Sequence, residues 1–232
     1  MANNNENKIL NVPHLRFPEF SGEWKIVKVS ELLEFYSTNS LSWEQLDYGN
    51  GIIKNLHYGL IHKGLPTMVD ISSDLLPYIK SESMPKSYTL FLNGDVAFAD
   101  ASEDTNDVAK AVEIVNCDEQ QIVSGLHTIH GRDKSDLTVI GYKGYAFASD
   151  SFHKQIAQGT KVFSINVRNF DEVRVGIPSK DEQIKIAKLL RAIDLRIATQ
   201  NKIIEDLKKL KSAISVQLLS GLFPLSRKEQ WR

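Results

Sequence analysis

The last fifth of the chain reads as one long helix, and this feature most constrains the fold. Residues 179–220 contain neither Gly nor Pro, and Gly221 and Pro224 then provide a stop signal. Ser179, followed three residues later by Glu182, has the pattern of a capping box. About 41 residues at about 1.5 Å each make a rod of about 60 Å, longer than a compact domain of this size needs. We expect such a helix to pack against a partner.

Apolar residues recur along this helix at alternating steps of four and three. The a positions are Leu190, Ile197, Ile204, Lys211 and Leu218, and the d positions are Ile186, Ile193, Gln200, Leu207 and Ile214. Eight of the ten are apolar, which predicts a coiled coil. Gln200 and Lys211 interrupt the seam, and such residues can fix register or partner choice at a cost in stability. Leu189, Ile203 and Leu210 add a third row at g. The alternative is a single helix folded back on its own domain.

Composition places the chain among ordinary water-soluble proteins. It has 232 residues, of which 42% are hydrophobic and 25% charged, enough for one core plus an appendage. Cys117 is the only cysteine, which excludes a disulfide framework and a thiolate metal cluster. No apolar run approaches the ~18 residues that span a bilayer. Residues 1–12 read as a flexible tail without the apolar core of a signal peptide, so we predict a cytoplasmic protein.

Charge is unevenly distributed although the net charge is only −1. Residues 179–220 hold nine Lys/Arg and five Asp/Glu, whereas residues 1–178 hold 16 Lys/Arg and 23 Asp/Glu. Neutralisation of phosphates supplies most non-specific affinity for nucleic acid. The acidic body therefore argues against a protein that grips nucleic acid unaided.

The body before the helix reads as β-rich. Strand signals occur at 51–62, Tyr88–Leu92, Val96–Ala99, Ala111–Val115, Gln121–His127, Leu137–Ile140 and Lys161–Ile165, and helical signals at Lys28–Glu34 and Phe147–Gln158. Leu15–Trp24 reads as an extended lead-in punctuated by Pro18 and Gly22. The predicted fold class is α+β, a β-rich globular domain followed by one long C-terminal helix that pairs as an antiparallel coiled coil.

Two clusters suggest metals, and each has a simpler reading. Five carboxylates lie between Asp95 and Asp107, a density that suits Mg²⁺ or Ca²⁺, but the Gly and terminal Glu of an EF-hand loop are missing. A solvated turn is the alternative. The pairs His57/His62 and His127/His130 suggest zinc, yet strand residues three or five apart point to opposite faces. No HExxH motif, nucleophile elbow, Walker loop or dinucleotide fingerprint is present, so we predict no catalysis, no metal and no cofactor in this chain.

A set of polar and aromatic residues suits contacts to base edges and phosphates in a DNA groove. Its members are Trp43, Tyr48, Lys54, Asn55, His57, Tyr58, His62, Lys63, His127, His130, Arg132 and Lys134. The alternative is that Trp43 and Tyr58 belong to the core and the others to ordinary surface.

Four stretches, in order, resemble the specificity (S) subunit of type I restriction–modification systems, or half of one. They are Val12–Trp24; Ile53–His62; Gly94–Asp104 with Val123–Ile129; and Gly159–Ile165 leading to Ile177–Gln183 and the helix. The most specific part is the Pro-Ser-x-x-Glu-Gln junction at 178–183, followed by an Ile-Asp-x-x-Ile helix. The resemblance covers nearly the whole chain.

The resemblance implies a target recognition domain that reads one half of a split DNA site. In that family the helix following the domain pairs antiparallel and sets a fixed spacing. The S subunit assembles with methyltransferase (M) subunits, which use S-adenosylmethionine to methylate adenine, and with ATP-driven restriction (R) subunits; ATP and Mg are therefore expected in the partners. With one domain and one helix, the chain resembles a half subunit or a truncated one, and the second helix would come from a second copy or a second half subunit.

The resulting layout is a tail at 1–12, a recognition domain at 13–178, a spacer and dimerisation helix at 179–221 and a tail at 222–232. We expect a non-catalytic subunit that reads double-stranded DNA and has no membrane association. Two other functions stay open. One is a coiled-coil adaptor that does not touch DNA, and the other is a metal-dependent nuclease that uses the carboxylates of Asp95–Asp107.

Overall fold

A computed structural model describes residues 11–102, 109–159 and 164–220. The chain divides into two compact units, the first ending at Leu189 and the second beginning at Leu190. The first unit contains every described strand, and the second contains most of the long helix.

The described residues form eleven strands and five α-helices. The strands are β1 (Lys25–Lys28), β2 (Leu33–Tyr36), β3 (Leu46–Asp47), β4 (Ile53–Leu56), β5 (Met68–Asp70), β6 (Tyr78–Ile79), β7 (Val96–Ala99), β8 (Ala111–Val115), β9 (Gln121–Ser124), β10 (Thr128–Asp133) and β11 (Arg174–Ile177). The helices are α1 (Val29–Leu32), α2 (Tyr58–His62), α3 (Tyr142–Phe147), α4 (Asp150–Gly159) and α5 (Lys180–Leu219). Short 3-10 turns lie at Trp43–Gln45, Ser81–Ser83 and Val167–Asp171. The α+β class with a β-rich domain and one long C-terminal helix is confirmed.

The strands of the described residues form three sheets. Their strand orders are β1-β11, β2-β10-β7-β8-β5 and β3-β6-β4-β9. In the first sheet Lys25 pairs with Ile177, which ties the start of the domain to the strand that precedes α5. In the third sheet β4 and β9 pair in parallel, so that Leu56 lies beside Ser124. The ends of these two strands bring the segment 57–63, which contains α2, next to the loop at 125–127, and the Tyr58 N–H donates to the Leu126 carbonyl at 3.2 Å.

Aromatic packing holds the larger core. The Phe98 ring lies 5.1 Å from the Phe147 ring, 6.0 Å from Phe152 and 4.8 Å from Phe170, measured between centroids. All four side chains are fully buried. They join β7, α3, α4 and the 3-10 turn at Val167–Asp171 into one packed layer. A second core lies on the other side of β7, around the fully buried Leu56 and Ile61.

Several predicted elements are confirmed. The strands Val96–Ala99 and Ala111–Val115 have the predicted bounds, and the strand predicted at Gln121–His127 ends at Ser124. The helix predicted at Phe147–Gln158 is present as α4. The helix predicted at Lys28–Glu34 is one turn long, because Leu33 already adopts extended backbone and starts β2.

The strand predicted at 51–62 is wrong in its second half. The strand ends at Leu56, and Tyr58–His62 is a helical turn. The Nδ1 atom of His57 accepts a hydrogen bond from the Gly59 N–H at 3.1 Å, which caps the turn. The helical spacing buries Leu60 and Ile61 in the second core, and this burial outweighs their β propensity.

Two other predicted strands are replaced by side-chain hydrogen bonds. At Leu137–Ile140, the Val139 N–H donates to Gln183 Oε1 and the Leu137 carbonyl accepts from Gln183 Nε2, each at 2.9 Å. At Tyr88–Leu92 an isolated bridge joins Leu90 to Val123, and the Leu90 carbonyl accepts from Arg132 Nη2 at 2.8 Å. In both places a distant polar side chain takes the hydrogen-bonding role that a neighbouring strand was expected to fill.

Strand β10 was not predicted, because Gly and charged residues dominate Thr128–Asp133. A Cβ atom at Gly131 would lie 2.9 Å from Leu33 Cδ1 of the neighbouring strand, so any other residue there would force the Leu33 side chain to shift. Of the strand predicted at Lys161–Ile165, residues 161–163 lie outside the described ranges, and Ser164 forms an isolated bridge with Ala101.

Candidate nucleic-acid interface and helix junction

The start of α5 is locked to the lead-in segment by a buried ion pair. Glu182 is 1% exposed, and its two carboxylate oxygens accept from Arg16 Nε and Nη2, each at 2.7 Å. Trp24 Nε1 donates to the same carboxylate at 3.2 Å. The Ser179 hydroxyl accepts from the Glu182 N–H at 3.3 Å, which is one half of the predicted capping box. The Glu182 side chain binds Arg16 and Trp24, so the predicted reciprocal half is replaced by a tertiary contact.

Gln183 makes the second set of hydrogen bonds that holds the start of α5 to the domain. Its side chain is fully buried, accepts from the Val139 N–H, and donates from Nε2 to the carbonyls of Leu137 and Pro178 at 2.9 Å. Within the junction motif, Glu182 thus binds the lead-in segment, and Gln183 binds the 137–139 loop. This segment is a structural joint between the domain and its helix.

The first turns of α5 belong to the domain core. Ala187 is 8% exposed, and Ile186 packs against the larger hydrophobic cluster. Ile186 was predicted to be a seam residue; its side chain is partly buried against this core, and its part in helix pairing stays a prediction. Lys185 forms an ion pair with Glu19 on the lead-in.

The remainder of the predicted seam is open to solvent. From Arg191 to Ser220, the last described residue, every side chain except the half-buried Asp194 is exposed. Exposed apolar positions of the predicted a, d and g rows are Ile193, Ile197, Ile203, Ile204, Leu207, Leu210, Ile214 and Leu218. A row of large apolar side chains left in water is the signature of a helix that lacks its partner. Pairing itself stays a prediction.

Part of the predicted DNA-contacting set forms one aromatic cluster where β4 and β9 end. The His57 ring lies 4.3 Å from the Trp43 ring and 4.8 Å from the Tyr58 ring. The Tyr58 ring also contacts the rings of His62 at 5.8 Å and His127 at 5.1 Å. The structure thus brings together predicted residues that lie before position 64 and after position 126. We call these five side chains the aromatic patch: Trp43, His57, Tyr58, His62 and His127.

The interior and the rim of this patch differ. His57 is 2% exposed, and burial, assisted by the nearby His127 and Lys63, lowers the pKa of its imidazole to about 4. Its ring is therefore neutral at physiological pH and serves as cap and packing surface. Trp43 is 39% exposed, and the exposed ammonium of Lys63 lies 5.4 Å from the centre of its ring. The rim can therefore offer an aromatic face and a cation together.

Two polar contacts fix the rest of the patch. His127 has a positive φ of 53° and its Nδ1 lies 3.0 Å from Asp100 Oδ1. Burial raises the pKa of Asp100, and the neighbouring His127 partly offsets this. His62 donates from Nε2 to the Ala101 carbonyl at 2.9 Å. Asp100 therefore orients an imidazole at the surface.

Lys54 and Asn55 lie inside the domain. Lys54 is 6% exposed, donates to the Ile71 carbonyl at 2.8 Å, and has its pKa lowered by burial. Asn55 is fully buried and donates to Asn39 Oδ1 at 3.1 Å. Both side chains stabilise loops around β4, so we leave them out of the proposed contact surface.

His130 and Arg132 bind Asp95. His130 is fully buried with Nε2 2.8 Å from Asp95 Oδ2, and Arg132 Nη2 donates to the same oxygen at 2.7 Å. Burial tends to raise the pKa of Asp95, but the hydrogen bonds from His130, Arg132 and the Leu92 N–H more than offset this and lower it. Lys134 donates to the Ser30 carbonyl at 2.8 Å. Tyr48 remains a half-exposed ring.

The carboxylates proposed for a nuclease do not converge among the described residues. Asp95 binds His130 and Arg132 inside the domain, and Asp100 faces His127. Residues 103–108, which include three of the five carboxylates, lie outside the described ranges. The described part of the chain has no group of three His, Cys, Asp or Glu placed to hold a metal ion.

Sequence reasoning missed a polar cleft at the end of β9. It has a volume of about 480 Å³ and lies between the 37–41 loop, the 85–89 loop and the end of β9. Its lining carries the hydroxyls of Ser37, Thr38, Ser40, Ser87, Thr89 and Ser124, with Lys86 and Tyr88 at the edge. The amide of Asn39 anchors one wall by donating to the Ser124 carbonyl at 2.6 Å. The only sequence signal for this cleft is the high density of Ser and Thr in the two loops.

Comparison with known proteins identifies the family. A family model described as the type I restriction modification DNA specificity domain matches residues 21–209. The chain belongs to this family. The match spans both the domain and most of α5. The description of the matched model names DNA specificity.

Individual relatives agree with this assignment. The type I restriction enzyme MjaVIII specificity subunit of Methanocaldococcus jannaschii is 35% identical over 75 residues, which are 32% of this chain and 18% of that protein. The type I restriction–modification S subunit from M. genitalium has a TM-score of 0.52 at 16% identity, covering 85% of this chain and 46% of that one. The HsdS subunit from Thermoanaerobacter tengcongensis has a TM-score of 0.50 at 16% identity, covering 88% and 46%. These structures share the fold, and the chain spans less than half of their length. None of the described helices is long and apolar enough to cross a membrane.

Proposed function

We propose that this chain is the non-catalytic DNA-recognition subunit of a type I restriction–modification enzyme and reads one half of a bipartite site. The observation that carries the proposal is the family match over residues 21–209, which takes in the domain, the junction and the helix together. Because its proposed substrate is cellular DNA, we expect to find it in the cytoplasm.

The proposed DNA-reading surface is the exposed rim of the aromatic patch together with the polar cleft. Trp43, Lys63 and His127 offer an aromatic face, a cation and an imidazole, and Tyr48 lies half-exposed nearby in the sequence. The cleft adds hydroxyl and amide groups, which can both donate to and accept from base edges. Ser124 in the cleft ends β9, and His127 in the patch follows it by three residues.

The helix is proposed to bind two kinds of partner. Its a, d and g rows would pair with a second copy or a second half subunit. Leu195, Val216 and Leu219 are also exposed but lie outside those rows, and they remain available for the methyltransferase (M) subunits. Restriction (R) subunits would join the complete enzyme. S-adenosylmethionine, ATP and Mg would act in these partner subunits.

The acidity of the domain supports a division of labour. Residues 1–178 carry more Asp/Glu than Lys/Arg, so the chain alone is poorly suited to neutralise phosphates. If the M subunits clamp the duplex, this chain needs to supply base-edge readout and local positioning. We therefore expect weak DNA affinity for the isolated chain and specific binding in the complex.

Methylation mapping tests the proposal. Cells that carry this chain with its M subunit should show a split adenine-methylated motif that disappears when the chain is deleted. The adaptor alternative, which the exposed helix face also supports, predicts that the motif's sequence is independent of the domain's rim residues.

A further inference from the structure

The two polar residues of the open seam lie at positions that match each other in an antiparallel pair. Antiparallel helices form layers in which an a residue of one helix faces a d residue of the other. Gln200 occupies a d position and Lys211 an a position, and both side chains are exposed. Resting on the proposed pairing function, we infer that α5 pairs with a second copy of this chain in one register, in which Gln200 of each copy faces Lys211 of the other.

In this register, the layers that do not contain Gln200 and Lys211 are apolar. The two-fold axis falls between Glu205 and Asp206, and the facing positions follow by counting outwards from it. The resulting layers are Ile204 with Leu207, Ile197 with Ile214, and Ile193 with Leu218, each formed twice in a symmetric dimer. On the flank, Ile203 of the g row lies near Leu210 of the second copy, which gives the third apolar row a partner. Self-complementarity of this kind is what a two-fold interface requires.

Other registers are worse for a definite reason. A shift of one heptad in one direction sets Lys211 against Ile193, and a shift in the other sets it against Leu207. Gln200 then faces Ile204 or Leu218, so all four polar groups of the dimer meet apolar side chains. A parallel pair in register would instead place Lys211 against Lys211. Pairing Gln200 with Lys211 lets the ammonium donate to the amide oxygen in both polar layers.

The available surface is sufficient for a dimer. The eight exposed apolar side chains of the a, d and g rows between Ile193 and Leu218 are 44% to 72% exposed. Their full burial would remove about 800 Å² from each copy, which is the size of a standard protein–protein interface.

Disulfide trapping of the full chain tests the register. The background is Cys117→Ser, although the pKa of the half-buried Cys117 thiol is raised to about 11 by burial and little thiolate forms there. Ile197→Cys chains mixed with Ile214→Cys chains should cross-link on mild oxidation. Ile197→Cys mixed with Leu207→Cys is the matched control for the register shifted by one heptad, and Ile197→Cys alone reports parallel pairing.

Charge substitution gives a second readout that does not depend on cysteine chemistry. Gln200→Lys places two lysines in each polar layer and should raise the dimer dissociation constant about tenfold per layer, about 100-fold in total. Adding Lys211→Gln in the same chain exchanges the two residues, recreates the layer and should restore the dimer. These side chains are exposed in the single chain, so circular dichroism should show an unchanged fold.

The outcomes separate the register from the proposed function. The register is overturned, with self-pairing left in place, by any of three results. Ile197→Cys chains cross-link with Leu207→Cys chains, or Ile197→Cys chains cross-link with one another, or the chain is a dimer in which none of the three cysteine pairings cross-links. A monomer at tens of micromolar by sedimentation would overturn self-pairing and indicate that another chain supplies the second helix. Neither result touches DNA recognition, which the methylation map decides on its own.

Discussion

Arg16 and Glu182, 166 residues apart, form a two-pronged ion pair with both N–O distances at 2.7 Å. The pair links the lead-in segment to the first turn of α5, and Trp24 adds a third hydrogen bond. The side chain of Glu182 is 1% exposed while that of Arg16 is 16% exposed, so the carboxylate is the desolvated member. The contact joins the segments around 16–24 and 178–183 within the first compact unit.

Removing this carboxylate should destabilise the domain. Glu182→Ala leaves the half-buried Trp24 without the acceptor of its indole N–H and the Arg16 guanidinium without its counter-ion, so we expect the midpoint of thermal unfolding to fall by about 4–8 °C. Asp136→Ala is the matched control, because Asp136 pairs with Lys180 on the same helical turn but is 91% exposed. Equal effects of the two substitutions would show that Glu182 is not a joint.

Removing only the two donor hydrogens of the Gln183 side chain should destabilise the domain. Gln183→Glu has the same shape but cannot donate to the carbonyls of Leu137 and Pro178. We expect the free energy of unfolding to fall by about 2–4 kcal/mol, since a buried carboxylate would face two carbonyl oxygens. Urea denaturation measures this, and the exposed Gln217→Glu provides the control. A difference below about 0.5 kcal/mol would contradict the assignment.

Burial of His57 should make stability depend on pH. The folded state holds its imidazole neutral down to a pKa of about 4, whereas the unfolded chain takes up a proton below about 6.5. The unfolded state therefore binds more protons between these values, and the free energy of unfolding falls as pH falls through this window, by about 3 kcal/mol at most. Above about pH 6.5 His57 is neutral in both states, so its burial causes no loss of stability there.

The substitution His57→Asn isolates that contribution, because Asn retains an acceptor for the Gly59 N–H but does not titrate. Denaturation at pH 7 and at pH 4.5 should show a smaller loss of stability in this variant than in the wild type. His14→Asn, at an exposed residue, is the control. An unchanged pH dependence in His57→Asn would show that the imidazole is not held neutral by its burial.

The rim lysine should act on affinity more than on sequence choice. In the complex with the M subunit, Lys63→Ala should weaken binding to all DNA sequences by a similar factor and reduce the slope of log K against log salt by about 0.9. Lys25→Ala, an exposed lysine on β1 away from the patch, should leave the slope unchanged. Equal slopes for Lys63→Ala and the wild type would remove Lys63 from the phosphate-contacting set.

The sequence predicted the elements whose signals are local. The strands Val96–Ala99 and Ala111–Val115 are continuous apolar runs, and α5 has a cap, a period and a stop. The errors arose where a distant side chain replaces a local partner. Gln183 occupies the hydrogen bonds of the supposed strand at Leu137–Ile140, and no pattern within those four residues announces that.

The candidate site was predicted in part for the same reason. Aromatic and imidazole residues near β4 and after β9 were recognised by type, and the parallel pairing of these strands brings them together. Burial could not be read from type alone, so Lys54, Asn55 and His130 were included although their side chains are inside the domain. The polar cleft was missed because its two walls come from loops about 50 residues apart, at 37–41 and 85–89.

Single-molecule sequencing of adenine methylation tests DNA recognition most directly. The measurement compares cells carrying the M subunit with the wild-type chain, with a rim variant such as Tyr48→Ala, and with no chain. We predict a split methylated motif with the wild type, an altered or lost half-site with the variant, and no motif without the chain. The same motif in all three strains would contradict the conclusion that this domain reads DNA.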